Sequence, residues 1–77
     1  MEIVLVTRQG CHLCDDALAY LRSLGVEPEL RDVDADSALH AAYDWRVPVV
    51  LLDGHVIAEG RIDLDSLRKA LKLVGKG

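Results

Sequence analysis

The sequence predicts an α/β fold in which a four-stranded mixed sheet carries helices on both faces, in the order βαβαββα. Two short apolar runs, residues 3–6 and Val49–Leu52, have no polar face and are typical of strands buried on both sides. Leucine and alanine follow the first run at helical spacing. The second run leads into Asp53-Gly54, a dipeptide that favours the turn of a β-hairpin.

The first half of the chain predicts a strand, a helix and a second strand. Residues 3–6 should be central in the sheet, because they are apolar throughout. Residues 12–24 should form the helix, with Gly25 as the left-handed residue that ends it, and their spaced apolar positions are Leu13, Ala17, Leu18, Leu21 and Leu24. Residues 26–33 contain Pro28 and several charges, which predicts an edge strand.

A short helix and a hairpin should follow. Asp36 or Ser37 can cap the short helix, whose apolar face holds Ala38, Leu39, Ala42 and Tyr43. Val49–Leu52 and residues 56–57 should be antiparallel neighbours around Asp53-Gly54.

The last helix completes the predicted architecture. Asp63 can cap it, and its apolar stripe consists of Leu64, Leu67, Leu71 and Val74. Its C-terminal part carries basic residues that suit the helix dipole, namely Lys69, Lys72 and Lys76. A crossover helix between the first two strands and a hairpin before the last helix make this a thioredoxin-like architecture.

Length and composition limit the classes of function. The 77 residues allow one domain, residues 1–77, and the hydrophobic fraction of 51% is high enough for a packed core. The net charge of -4 argues against a nucleic-acid or anionic-membrane partner. The N-terminal apolar run is too short for a signal peptide or a membrane span. We expect a monomer in the cytoplasm, where cysteines are reduced.

The two cysteines form the motif Cys11-His12-Leu13-Cys14, placed where a buried strand meets a helix. At the first helical turn, unpaired N–H groups and the helix dipole should stabilise a thiolate and lower the pKa of the Cys11 thiol. Cys14, three residues later and on the same side of the first turn, is then close enough to form a disulfide with it. The pattern predicts thiol-disulfide exchange, with Cys11 as nucleophile and Cys14 as resolving thiol. His12 could stabilise the Cys11 thiolate, or could simply be solvated.

Other functions are compatible with this motif. A single Cys-x-x-Cys could be half of a zinc site, although the sequence has no second pair and its histidines, His12, His40 and His55, do not repeat the usual ligand spacing. The cysteines could also be inert, in an adaptor module that binds an extended segment along Val47. A third alternative is a metal or iron-sulfur carrier that uses Cys11.

Pro48 precedes a buried strand and cannot donate a ladder hydrogen bond. A cis Val47–Pro48 bond would leave the backbone groups of Val47 facing the cysteines, free to pair with an extended substrate. An ordinary trans proline at the start of a strand is the alternative, and spacing does not separate the two.

Several segments together resemble a known family. The chain is similar to the glutaredoxins, most closely to a group of short bacterial glutaredoxin-like proteins, over essentially its whole length. The matching segments are Ile3–Thr7, Arg8, residues 10–14, residues 32–36, residues 46–48, Asp53-Gly54 and residues 60–64. The resemblance implies a thioredoxin fold, a cis peptide bond at Pro48, Cys11 as nucleophile, and exchange often coupled to glutathione.

The chain also departs from that family in the regions that bind glutathione. His12-Leu13 replaces the Pro-Tyr of many glutaredoxins, Arg46 replaces a threonine, and residues 59–63 replace the Gly-Gly-x-Asp-Asp segment that holds the γ-glutamyl group. We therefore predict weak glutathione binding on the Cys11 face.

The sequence thus predicts a small oxidoreductase with no bound metal or organic cofactor. Its substrates should be protein or small-molecule disulfides, with glutathione as a candidate reductant. The predicted substrate-binding residues are Arg8, His12, Arg46, Val47, Pro48, Gly60 and Arg61. Of these, the three arginines could offer cations to a carboxylate or a phosphate.

Overall fold

The structure, a computed structural model, describes residues 2–75, with side chains described as far as residue 72. The elements in chain order are β1 (Ile3–Thr7), α1 (His12–Ser23), β2 (Glu29–Asp32), α2 (Ser37–Tyr43), β3 (Val49–Leu52), β4 (His55–Glu59) and α3 (Leu64–Gly75). The predicted order βαβαββα is confirmed.

The four strands form one mixed sheet in the order β2-β1-β3-β4. Strand β1 runs parallel to β2 and antiparallel to β3, so that Leu5 lies between Leu30 and Val50. Strands β3 and β4 are the antiparallel hairpin. The predicted central position of β1 and edge position of β2 are therefore confirmed. Because β1 and β2 are parallel, their C-terminal ends lie at the same edge of the sheet.

Two apolar clusters cover the two faces of the sheet. Alternate residues of a strand point to opposite faces, so the central strands contribute to both clusters. On one face α1 and α3 pack against the sheet, in a cluster that contains Leu5, Ala17, Leu21, Val50 and Leu67. On the other face α2 packs against it, in a cluster that contains Val6, Val33, Leu39, Tyr43 and Val49. This confirms the prediction of helices on both faces.

The predicted caps and turns have the expected geometry. Asp36 caps α2, because its Oδ1 accepts hydrogen bonds from the N–H groups of Ala38 (2.9 Å) and Leu39 (3.0 Å). Asp63 caps α3 by accepting from the Ser66 N–H at 2.8 Å. Asp53 and Gly54 both have positive φ angles, 50° and 86°, as a type I′ hairpin turn requires.

Some boundaries and faces differ from the sequence prediction. Strand β2 is shorter than residues 26–33, and β4 begins one residue early, at His55. Ala38 and Ala42 are exposed, because the residues of α2 that pack against the apolar cluster are Leu39 and Tyr43. Leu64 is 40% exposed, since it lies at the first position of α3. Val74 and Lys76, predicted on the last helix, fall outside the described side chains.

Within residues 2–75, no helix is both long enough and apolar enough to cross a membrane.

Candidate redox site

Cys11 lies at the N-cap of α1, where the prediction placed it. Its backbone is extended, with φ at -92° and ψ at 107°, and its Sγ accepts a hydrogen bond from the Cys14 N–H at 3.1 Å. The Cys11 N–H in turn donates to the Arg8 carbonyl oxygen at 3.3 Å. The sulfur of Cys11 is therefore held against the N-terminal end of a helix, where backbone N–H groups and the helix dipole stabilise negative charge.

Cys14 occupies the first turn of α1 and faces inward. Its side chain is only 3% exposed, whereas Cys11 is partly exposed. The Cα atoms of the pair are 5.2 Å apart and the two Sγ atoms are at disulfide-bonding distance. The more accessible cysteine is thus the one at the helix N-terminus. Between the cysteines, His12 is exposed and begins α1.

Arg8, one of the predicted substrate-binding residues, lies in an ion-pair network. Its guanidinium donates two hydrogen bonds of 2.9 Å to the carboxylate of Asp34, and it also binds the carboxylate and the backbone carbonyl oxygen of Asp44. His40 approaches the same carboxylates, with Nε2 3.4 Å from Asp44 and 3.8 Å from Asp34. The hydrogen bonds to Asp34 and then to Asp44 raise the pKa of Arg8 above its ordinary value. In return, the bond from Arg8 lowers the pKa of Asp34.

Asp34, His40 and Asp44 are partners that the sequence analysis did not anticipate. One possible ligand atom from each lies within 4.8 Å of the others, a spacing that a metal ion could use. The guanidinium of Arg8 already binds both carboxylates, however, and supplies the positive charge that an ion would bring. The group is therefore best described as an arginine held by two carboxylates.

The segment before β3 contains Arg46, Val47 and Pro48, and the Val47–Pro48 peptide bond is cis. Arg46 donates to Glu59 at 2.7 Å and its guanidinium lies over the ring of Tyr43, 5.2 Å from the centroid. Within residues 2–75, neither the N–H nor the carbonyl oxygen of Val47 takes part in a backbone hydrogen bond of a loop or turn. These two groups, which the sequence analysis assigned to an extended substrate, are therefore not occupied by backbone partners of that kind.

Gly60 links this segment to the end of β4 through backbone hydrogen bonds. Its N–H donates to the carbonyl oxygens of Arg46 (3.1 Å) and Pro48 (2.8 Å), and its φ angle of 68° lies in the left-handed region that favours glycine. The N–H of Gly60 is consequently used within the fold. Arg61 follows it and is exposed, and no ion pair or side-chain hydrogen bond within residues 2–72 includes it.

The predicted site residues therefore fall into two connected groups. Arg8 joins them, because its carbonyl oxygen binds the Cys11 N–H while its guanidinium binds the carbonyl oxygen of Asp44, two residues before Arg46. The loop that carries the cysteines and the loop that carries Val47 and the cis-proline are thus linked through one side chain.

Comparison with known proteins identifies the family and the fold of the chain. Residues 2–72 match the model of a family described as Glutaredoxin-like domain (DUF836). No curated protein matches the chain. Among solved structures, the Northeast Structural Genomics target protein XcR50 from X. campestris is 33% identical, with a TM-score of 0.78 over 92% of this chain and 96% of its own.

Two further structures are similar. The thioredoxin-like protein BC3987 is 29% identical, with a TM-score of 0.73 over 91% of this chain and 100% of its own. Thioredoxin 1 from the thermophilic eubacterium Thermosipho africanus is 17% identical, with a TM-score of 0.56 over 97% of this chain and 99% of its own, and it shares the fold. The chain belongs to the glutaredoxin-like domain family (DUF836), within the thioredoxin superfamily.

Proposed function

We propose that the protein is a dithiol-disulfide oxidoreductase in which Cys11 is the nucleophile and Cys14 the resolving thiol. The observation that carries this proposal is the position of Cys11 at the N-cap of α1, with its sulfur accepting the Cys14 N–H. A sulfur so placed is stabilised as a thiolate, and the thiolate is the reactive form of cysteine. The lower exposure of Cys14 suits a thiol that acts only after Cys11 has reacted.

The reaction balances as a two-electron exchange. The thiolate of Cys11 attacks one sulfur of the substrate disulfide, the substrate S–S bond breaks, and the released thiolate takes up a proton. Cys14 then loses its thiol proton and attacks the sulfur of Cys11, which releases the second substrate thiolate and leaves a Cys11–Cys14 disulfide. The substrate disulfide is reduced and the protein dithiol is oxidised. Two molecules of a thiol reductant regenerate the dithiol. This cycle suits the reducing environment of the cytoplasm.

Glutathione is the candidate reductant, and we propose that it binds weakly. Two groups that the sequence analysis assigned to ligand binding are engaged in the fold, since the Arg8 guanidinium binds Asp34 and Asp44 and the Gly60 N–H binds two carbonyl oxygens. A glutathione carboxylate would have to compete with these internal partners. The backbone groups of Val47 are better placed to accept an extended disulfide substrate.

An adaptor function is the second candidate. Trp45 is 94% exposed and directly precedes Arg46 and Val47, so that a large apolar side chain stands beside the proposed substrate-binding segment. Buried tryptophan anchors dominate many protein interfaces. In this alternative the cysteines take no part in the function.

The rate of alkylation separates the two candidates. In the Cys14→Ser variant at pH 6.5, a reactive Cys11 should react with iodoacetamide about tenfold faster than the cysteine of an unstructured peptide, because more of it is thiolate. The Cys11→Ser variant, which keeps Cys14, is the matched control and should react slowly. A rate for Cys11 equal to that of the peptide favours the adaptor. The absorption spectrum and metal content of the purified protein test the metal-carrier alternative.

A further inference from the structure

A cavity of about 230 Å³ opens beside Cys14, on the side of the site opposite to β3. It lies where β1 and β2 end and α1 begins, and it is lined by Cys14, Asp15 and Leu18 from the helix and by Leu30 and Asp32 from β2. Ligands of open α/β sheets commonly bind at the C-terminal ends of the strands. The volume is below that of pockets for whole small-molecule ligands, about 300–1,000 Å³, so the cavity suits a smaller group.

The cavity exists because α1 covers β1 but not the edge strand β2. Leu30 and Asp32 pair with Leu5 and Thr7 and therefore point to the same face of the sheet as α1. On that face Leu30 is 50% exposed. Leu18 lies three residues after Asp15 and four after Cys14, so that all three occupy one side of the helix.

The lining combines apolar and acidic groups. Leu18 and Leu30 supply apolar surface, while the carboxylates of Asp15 and Asp32 are exposed and form no ion pair within residues 2–72. One oxygen of Asp32 accepts the Asp34 N–H at 2.8 Å, but within residues 2–72 the carboxylate has no cationic partner. Arg8 also lines the cavity, but its guanidinium is bound by the carboxylates of Asp34 and Asp44. These three groups together carry no net positive charge, so they do not repel a cation from the cavity.

We propose that this cavity receives a lysine or arginine side chain of a polypeptide disulfide substrate. Such side chains have an apolar stem and a cationic end, and they bury the stem against apolar surface while the charge stays near water or a carboxylate. The stem would contact Leu18 and Leu30, and the cationic group would lie near Asp15 and Asp32. The inference rests on the proposed redox function, and it names the substrate class as disulfides with a neighbouring basic residue.

The test compares two synthetic peptides, each with one cysteine activated as a 2-pyridyl disulfide. One has lysine on both sides of the cysteine and the other has norleucine, which keeps the stem and removes the charge. Reduced protein attacks the disulfide through Cys11, and the released 2-thiopyridone is followed by absorbance. The quantity measured is the ratio of the two second-order rate constants, lysine peptide over norleucine peptide.

The wild-type protein should prefer the lysine peptide. Asp15→Asn and Asp32→Asn should each lower the ratio by about threefold to fivefold, the upper part of the range for an exposed ion pair. Asn at position 32 can still accept the Asp34 N–H, so the turn after β2 is retained. The matched control is Asp16→Asn, which removes the same charge from an exposed neighbour that does not line the cavity. Its ratio should equal that of the wild type.

Two results would overturn the proposal: equal wild-type rates with both peptides, or an equal loss in Asp16→Asn, which would indicate only a general attraction to negative charge. If the wild-type protein releases no 2-thiopyridone from either peptide, the redox function itself fails. An NMR titration with the same peptides carrying serine in place of cysteine then tests binding at the cavity independently of the redox reaction. The amides of Leu18, Leu30 and Asp32 should shift with the lysine peptide only, and the proposal is wrong if they shift with neither or with both.

Discussion

The Arg8 guanidinium donates a hydrogen bond of 3.2 Å to the backbone carbonyl oxygen of Asp44. This bond joins the loop before Cys11 to the loop before the cis-proline, and the carboxylates of Asp34 and Asp44 hold the guanidinium in place. Arg8 therefore fixes the two halves of the site relative to each other, a role that differs from direct binding of a substrate carboxylate. Its predicted substrate-binding role stays a prediction.

Replacing Arg8 should lower the stability of the folded protein, and the size of this effect should depend on pH. Arg8 lowers the pKa of Asp34 in the folded protein, so this interaction stabilises the fold above the unfolded pKa of about 3.9 and is lost as the pH falls through the lower, folded value. Arg8→Met should reduce the melting temperature by a few degrees at pH 7, and the difference from the wild type should shrink below about pH 4.

The control for this prediction is Arg22→Met. Arg22 pairs with Glu27 at 3.1 Å, but both side chains are more than half exposed, and such pairs contribute little. A melting temperature that falls equally in both variants, or a difference for Arg8→Met that persists unchanged at low pH, would contradict the network as described.

The final helix should depend on one buried leucine. Leu67 is 0% exposed in the cluster between α1, α3 and the sheet, and Leu67→Ala should lower the free energy of unfolding by about 2–5 kcal/mol. Leu64→Ala in the same helix removes a side chain that is 40% exposed and should cost less than about 1 kcal/mol. Urea denaturation of both variants measures the difference. Equal losses would mean that the helix does not present Leu67 to the core.

Glutathione should bind weakly to the Cys11 face. Relative to a site with all its contacts, the absence of two or three charge-assisted hydrogen bonds, at about 1.5 kcal/mol each, weakens binding by about a hundredfold or more. NMR titration of the Cys14→Ser variant is the measurement. The amides of Arg8, Cys11, Val47 and Gly60 should shift without approaching saturation below about 1 mM glutathione. Saturation at lower concentration would contradict weak binding and restore the usual glutaredoxin role.

Local patterns in the sequence were sufficient to predict the fold. Buried strands, a left-handed glycine at the end of α1, the Asp53-Gly54 turn and the Asp36 and Asp63 caps all depend on residues a few positions apart. The position of Cys11 at the N-cap of α1 could be predicted in the same way, because the helical spacing of apolar residues begins at Leu13. These features are governed by short-range geometry, so the periodicity and spacing of residues in the sequence predict them.

The contacts that complete the site join distant parts of the chain. Arg8 binds Asp34 and Asp44, which are 26 and 36 residues away. No local pattern indicates that these carboxylates, rather than a ligand, satisfy the guanidinium. The signal available was the run of acidic residues after β2, since parallel strands bring that run beside Arg8. The cavity beside Cys14 was also unforeseen, because it depends on how far α1 extends over β2.

The central claim is that Cys11 attacks and Cys14 resolves, and trapping of the mixed disulfide tests it most directly. Reduced Cys11→Ser and Cys14→Ser variants are treated with hydroxyethyl disulfide, and the mass of each intact protein is measured. Cys14→Ser should accumulate the adduct on Cys11, because the attacking thiolate is kept and the thiol that releases the adduct is absent. Cys11→Ser should remain unmodified over the same time, because Cys14 is buried. An adduct on Cys11→Ser but not on Cys14→Ser would contradict the assignment.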